Sequence, residues 1–294
     1  MPKGGRDIRR RIRSVSSTQQ ITKAMKMVAA SKLKKSQSRT EASRPYSETV
    51  CEVLSRISAL GAQLEHPYLR HIAPEVGHVL AVLFTGDKGL CGAFNSHLTR
   101  RCEHFIADQR EQGCEVTLIL AGKKGHAYFK RRAAQIAGFH LGFTNKTSYA
   151  DLRPLTDQLT SAYLAKQVSE VYLIYGRFVN VMKSVPTVMR LLPIETLEPE
   201  AGPKGARRVE YDLEPSPEEL LRTLLPRYFQ TILFQAAIEN FTSENGARMV
   251  AMDNATTAAG EMIDALTLQY NKARQAAITF ELLDIVGGAE ALKG

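Results

Sequence analysis

Ten positions near the C-terminal end of this chain, Met252, Ala255, Ala259, Met262, Leu266, Gln269, Ala273, Ala276, Phe280 and Leu283, alternate spacings of three and four without a break. That is a heptad seam, and a helix carrying one needs a partner to cover it. The small alanines on the seam allow a close approach. A second helical stretch opens the chain: no glycine occurs between Gly5 and Gly61, and the only proline there is Pro45, where a bend is expected. Its apolar sets Ile8, Ile12, Val15 and Ile21, Met25, Val28 lie one residue out of phase, so the N-terminal seam is expected to drift. Val50, Val53, Ile57, Leu60 and Leu64 continue the helical spacing. The two ends can satisfy each other by pairing antiparallel. From Arg227 to Val286 such a rod would run about 90 Å at about 1.5 Å per residue, so much of it is expected to project.

Between the ends, short β-branched runs alternate with helical stretches. The runs are Val79–Phe84, Val116–Leu120, Gln135–Phe139, Val171–Tyr175 and Pro186–Leu192, with helices expected near 93–111, 123–133 and 150–167. Strand–helix alternation predicts a mainly parallel sheet. The fold class is therefore α/β: a long antiparallel coiled coil of N- and C-terminal helices plus a Rossmann-like domain. The expected divisions are 1–66 for the first coil helix, 77–195 for the sheet domain, 196–215 for a loop and 216–294 for the second coil helix. Ser216-Pro217-Glu218-Glu219 carries a strong helix-start signal, Pro226 is expected to kink or restart that helix, and Gly287-Gly288 to end it.

Charge narrows the class of partner. Residues 1–44 hold thirteen Lys/Arg against Asp7 and Glu41, a balance of +11 within a chain of net charge +9. Such an arm calls for nucleic acid, an anionic membrane surface or acidic protein loops. It has no aromatic residue before Tyr46, which weakens single-strand nucleic-acid binding, where bases stack on aromatics. A basic coiled-coil nucleic-acid-binding protein is the alternative reading. The Arg- and Ser-rich start would suit a transit peptide, but the helical pattern begins near Ile8. No apolar run is long enough to span a bilayer. Cys51, Cys91, Cys102 and Cys114 form no C-x-x-C pair and read as small buried residues in a reducing compartment.

Gly86–Asn95 (GDKGLCGAFN) follows a strand and opens a helix, where a phosphate loop would sit. It lacks the Lys-Ser/Thr of a P-loop and the G-x-G-x-x-G of a dinucleotide site, so a tight turn is the better account. Asp87 and Lys88 are adjacent and point apart, and no catalytic triad or metal cluster is legible among the seven histidines. No catalytic residue, cofactor or metal is expected. The apolar end Glu281–Leu292 (ELLDIVGGAEAL) suits a low-friction contact, because dispersion and hydrophobic contacts are non-directional.

Four segments, Ile21–Gln37, Gly86–Asn95, Ser243–Ala255 and Tyr270–Leu292, resemble the ATP synthase γ subunit in order from about residue 4 to residue 292. Residues 256–269 and 198–208 look individual, and there is no inserted cysteine pair of the kind used for redox control. The resemblance implies a rotor shaft of the F1Fo complex, itself non-catalytic, that couples ion flow to ATP synthesis or hydrolysis. Its partners would be a ring of three α and three β subunits, the ε subunit and the membrane c-ring, with no nucleic acid. Its place would be peripheral, on the cytoplasmic face of a bacterial inner membrane. Met25, Arg248, Gln275 and Thr279 would meet β subunits, Ile285 and Val286 an apolar bearing, and Tyr211 and Glu214 the rotor ring and ε.

Overall fold

Alternating side chains place β1 (Gly77–Phe84) between two layers: Leu80, Val82 and Phe84 face one core, and Val79, Ala81 and Leu83 the other. A strand buried on both faces in this way belongs at the centre of a parallel sheet. The computed structural model describes residues 3–59, 66–69, 77–132, 134–144, 146–194 and 216–291. The chain divides into two compact units, Ala30–Ala247 and the combined ends Met1–Ala29 with Arg248–Gly294.

In the first unit, β1 pairs in parallel with β2 (Cys114–Ala121) and β4 (Glu170–Asn180). β3 (Gln135–His140) extends one edge in parallel, and β5 (Lys183–Leu192) closes the other antiparallel, giving the order β3-β2-β1-β4-β5. Helix α2 (Phe94–Glu111) and the short α3 (Lys123–Phe129) cover one face. The other face is covered by α4 (Tyr149–Leu164) and by part of α5 (Pro217–Ala291). All five expected strands are present. α3 stops four residues short of its expected end, because Lys130, Arg131 and Arg132 form the turn that leads to β3. Ser148 and Asp151 form a reciprocal capping box at the start of α4. Ser216 Oγ accepts from the Glu219 N–H at the start of α5, as its sequence signal predicts.

In the second unit, the ends of α1 (Lys3–Ala59) and α5 pair antiparallel: the partners Gln19, Thr22 and Lys26 meet Thr256 and Gly260, Thr256, and Asp253. From Met252 onward the shielded positions on α5 are Met252, Ala255, Thr256, Ala259, Gly260, Ile263, Leu266, Tyr270, Ala273 and Ala277. Met252, Ala255, Ala259, Leu266 and Ala273 are shielded as expected, while beyond Gly260 alternate positions fall one residue after the expected set. Ile263, Tyr270 and Ala277 take the places expected for Met262, Gln269 and Ala276, while Phe280 and Leu283 stand exposed. The expected drift on α1 is absent too. Shielding continues in step through Ile8, Ile12, Val15, Gln19, Thr22, Lys26 and Ala29; of the second expected set Met25 is half-buried, whereas Ile21 is 57% exposed and Val28 is 55% exposed. Geometry and polar pairing override hydrophobicity at this seam.

α5 neither restarts at Pro226 nor ends at Gly287-Gly288. A glycine costs a helix about 1 kcal/mol relative to alanine, which weakens it without forbidding it. Nothing approaches within 4 Å of where a Cβ on either glycine would sit. Of the apolar residues expected near the end of α1, Val53 packs half-buried against the α4/α5 core. The expected loop at 196–215 lies outside the described residues.

Cys102 and Cys91 are buried small residues, as expected, and Cys114 is half-buried. Burial, reinforced by the Glu103 carboxylate, pushes the Cys102 thiol up to about 12 from 9.0. Burial and the Glu239 carboxylate push the Tyr175 phenol from 10.0 to about 12, against the pull of Arg177. A group whose pKa is raised by folding stabilises the fold fully below its unfolded pKa and loses that contribution as pH climbs to the folded value. Stability should therefore hold up to about pH 9 with respect to these groups and fall from there towards pH 12. Denaturant titrations at stepped alkaline pH, with Cys102→Ala and Tyr175→Phe for comparison, check the assignment.

Candidate functional site

Open parallel sheets bind ligands beyond the carboxyl ends of their strands, where the strand order reverses. Here that point lies between β1 and β4, and the loop Gly86–Asn95 leads away from it. Polar groups of this loop and of its neighbours are engaged by the protein. The Gly86 N–H donates to Asn95 Oδ1 at 2.9 Å, and the Gly125 N–H donates to Thr85 Oγ1 at 2.9 Å. One oxygen of Asp87 accepts from the Lys123 and Gly142 N–H groups, at 2.9 and 3.0 Å. Asp87 thus ties three loops together and is not half of an acid/base pair with Lys88.

The crevice itself is filled by α5. Asn240 and Ser243 reach Gly176 of β4, and a Cβ on Gly86 would lie 2.7 Å from the Glu244 carboxyl carbon. Gly122, at φ +121° and ψ 140°, has a conformation open essentially to glycine alone. A Cβ there would run into the Thr85 carbonyl. These glycines serve close packing, as the turn reading of the motif expects. A cleft of about 340 Å³ lies nearby, lined by residues from His140 to Asp151. No group of three or more metal-ligating side chains with suitable geometry occurs among the described residues.

The paired chain ends are the stronger candidate. Lys26 Nζ meets Asp253 Oδ1 at 2.6 Å, and Thr256 Oγ1 lies 2.8 Å from Thr22 Oγ1, which in turn donates to the Gln19 carbonyl. Gln19 Nε2 donates to the Thr256 carbonyl, and the same amide sits 3.1 Å from where a Cβ of Gly260 would be. Polar groups at seam positions fix register, since a slip of one heptad strands every one of them. Sequence reasoning missed this cluster by matching apolar residues alone. Counting on from Ile8, Ile12 and Val15 in strict three–four steps reaches Gln19, Thr22, Lys26 and Ala29.

The outer surface of this pair is apolar in patches. Ile21, Met27 and Val28 stand exposed on α1, and Met262, Leu268, Ile278, Phe280, Leu282 and Leu283 on α5. Beside them the α1 cations Arg6, Arg9, Arg10, Arg11, Arg13 and Lys23 are exposed. Among the expected contact residues, Met25 is half-buried next to Lys26, and Arg248 is half-buried five residues before Asp253. Met25 and Arg248 therefore lie within a few turns of each other. Gln275 and Thr279 are one exposed turn apart, with Thr279 Oγ1 donating to the Gln275 carbonyl at 3.0 Å. Ile285 and Val286 are exposed further along the helix, while Tyr211 and Glu214 lie outside the described residues.

A family model described as ATP synthase matches residues 4–292. The chain belongs to the ATP synthase γ-chain family. Within that family it is 43% identical to the ATP synthase gamma chain of Pelotomaculum thermopropionicum over 288 residues, covering 98% of this chain and 99% of the relative. It is 45% identical to that of Moorella thermoacetica over 289 residues, covering 98% and 99%. A central-stalk chain of the Tetrahymena thermophila mitochondrial ATP synthase is similar at a TM-score of 0.60 and 27% identity, covering 80% of this chain and 99% of that one. A chain of the Euglena gracilis mitochondrial ATP synthase shares the fold at a TM-score of 0.66 and 19% identity, over 98% of this chain and 94% of that one.

If Lys26 and Asp253 hold the register of this family member's coil, reversing one charge should weaken it and reversing both should restore it. Both side chains are partly exposed, so the expected cost of Asp253→Lys is no more than about 1 kcal/mol. Most of it should return in Lys26→Asp/Asp253→Lys. Amide exchange across residues 250–256 at low salt measures the difference.

Proposed function

We propose that this chain is the rotor shaft of an F1Fo ATP synthase, non-catalytic in itself, that couples ion flow through a membrane ring to ATP synthesis or hydrolysis in an α3β3 ring. The observation that carries the reading is the coil's surface: two paired helices enclose a seam of mixed small, polar and apolar residues and leave large apolar side chains outside. Contiguous exposed apolar surface marks a face that other protein covers. A sleeve of α and β subunits supplies such a cover, and acidic loops on it would neutralise the basic arm. Family membership and the likeness to a central-stalk chain support the same assignment.

Torque needs contacts that differ with angle. The two helices carry different residues around their circumference, so each β subunit would meet a different face at any moment, and a site shifts only through differential contact. About 1.4 kcal/mol of difference changes an equilibrium tenfold. One ion crossing 100 mV supplies about 2.3 kcal/mol per charge. Several contacts must therefore share the load. Met25 and Arg248 form one group facing β subunits, and Gln275 and Thr279 another. Ile285 and Val286, 68% and 61% exposed, provide a bearing whose apolar contacts vary little with angle. Tyr211 and Glu214 meet the c-ring and ε. No helix of the described residues is long and apolar enough to cross a membrane. In this reading attachment is peripheral, through the c-ring, on the cytoplasmic face of a bacterial inner membrane.

Replacing Arg248 and Gln275 together by alanine should lower ion-driven ATP synthesis at least fivefold in vesicles holding normally assembled complex. Unchanged synthesis with normal assembly would remove these residues from the grip.

A further inference from the structure

From Glu239 to Asn245, α5 buries Glu239, Asn240, Thr242, Ser243, Glu244 and Asn245, with Phe241 between them. Buried polar side chains in such density need partners, and two of them find theirs on a single residue of the sheet. The Gly176 N–H donates to Asn240 Oδ1 at 3.0 Å, and Ser243 Oγ donates to the Gly176 carbonyl at 2.8 Å. Residues three apart lie on one face of a helix, so both bonds point the same way. Gly176 has these groups to spare because the pairing of β1 with β4 ends at Leu83 and Ile174, two residues earlier on β4. Glycine is needed there: a Cβ would meet the Phe94 ring at 2.7 Å. The neighbouring Glu244 lies against Gly86, and Gly246 lies with its Cβ position 3.3 Å from the Val181 carbonyl.

A helix resting in an apolar groove can turn about its axis or slide with little resistance, because hydrophobic contact has no direction. Two buried hydrogen bonds from one helical face to the two backbone groups of one strand residue remove both freedoms. We propose that Asn240, Ser243 and Gly176 form the joint through which the sheet drives α5, so that turning force applied to the sheet reaches the shaft. The three are positioning residues for coupling and touch no nucleotide. This joint occupies the strand-order reversal where related sheets bind ligands, so a ligand crevice has become a mechanical attachment. The proposal rests on the rotor reading above.

The test uses the complete complex with Asn240→Ala/Ser243→Ala. ATP hydrolysis by the sector detached from the membrane works against no load and should stay within about twofold of native. Ion-driven synthesis in vesicles works through the joint and should fall tenfold or more, with subunit composition unchanged. Synthesis within threefold of native, or a parallel loss of both activities, overturns the proposal. Should the double variant fail to assemble, Ser243→Ala alone, which removes one oxygen and adds nothing, carries the same comparison with the same limits. Failure of the native chain to support ion-driven synthesis in vesicles when combined with the α, β, ε and membrane-ring subunits would instead remove the rotor reading itself.

Discussion

The antiparallel seam between α1 and α5 is the constraint on which the rest depends. Its interior is built from small and polar groups as much as from large apolar ones: Thr22 against Thr256, Gln19 over Gly260, and Ala29 fully enclosed, with the Lys26–Asp253 pair at its partly exposed rim. Small residues bring the two backbones close, and the polar pairs give the approach one register. The large side chains that would ordinarily fill such a seam, Ile21, Met27 and Val28, are turned outward instead. Leaving them exposed is unfavourable for an isolated coil, and the exposure makes sense for a shaft enclosed by other subunits.

The sheet domain solves a different problem with a familiar topology. A strand order that elsewhere opens a crevice for a nucleotide here closes on a helix. Gly86 and Gly122 let neighbouring groups approach closely, and the amides of Gly86, Lys123 and Gly125 bond to Asn95, Asp87 and Thr85. Function has moved from the mouth of the sheet to the helix held against it. α5 belongs to both units, so what is fixed to the sheet near Asn240 and what presents Gln275 and Thr279 are parts of one continuous helix.

Much of this was legible in the sequence, because the signals that encode it are periodic. Short apolar runs such as Val79–Phe84 and three–four spacing at both ends follow directly from strand and helix geometry. Phase proved harder to read than period. Matching apolar residues selected Ile21, Val28 and Met262, and in the adjacent positions the structure buries Thr22 and Ala29 and half-buries Ile263. Hydrophobicity measures what a side chain gains from burial in water, whereas this surface is shaped by what packs at close range and by what another protein would cover. Gly287-Gly288 misled in a similar way: a residue that often ends helices weakens this one without stopping it. The joint at Gly176 could not be read at all, since it depends on residues 64 and 67 positions apart in sequence.

The central claim is that the two chain ends pair in one register and turn as one body. Thr22→Cys/Thr256→Cys places two thiols where the native hydroxyl oxygens lie 2.8 Å apart. Mild oxidation of the assembled complex should join them, and ion-driven ATP synthesis should continue at close to its reduced rate, since the bond links parts that do not move past each other. Ile21→Cys/Thr256→Cys, with one thiol on the outer face, should not join. Failure of the first pair to form, or a synthesis rate that stops on oxidation and returns on reduction, would contradict the shaft described here.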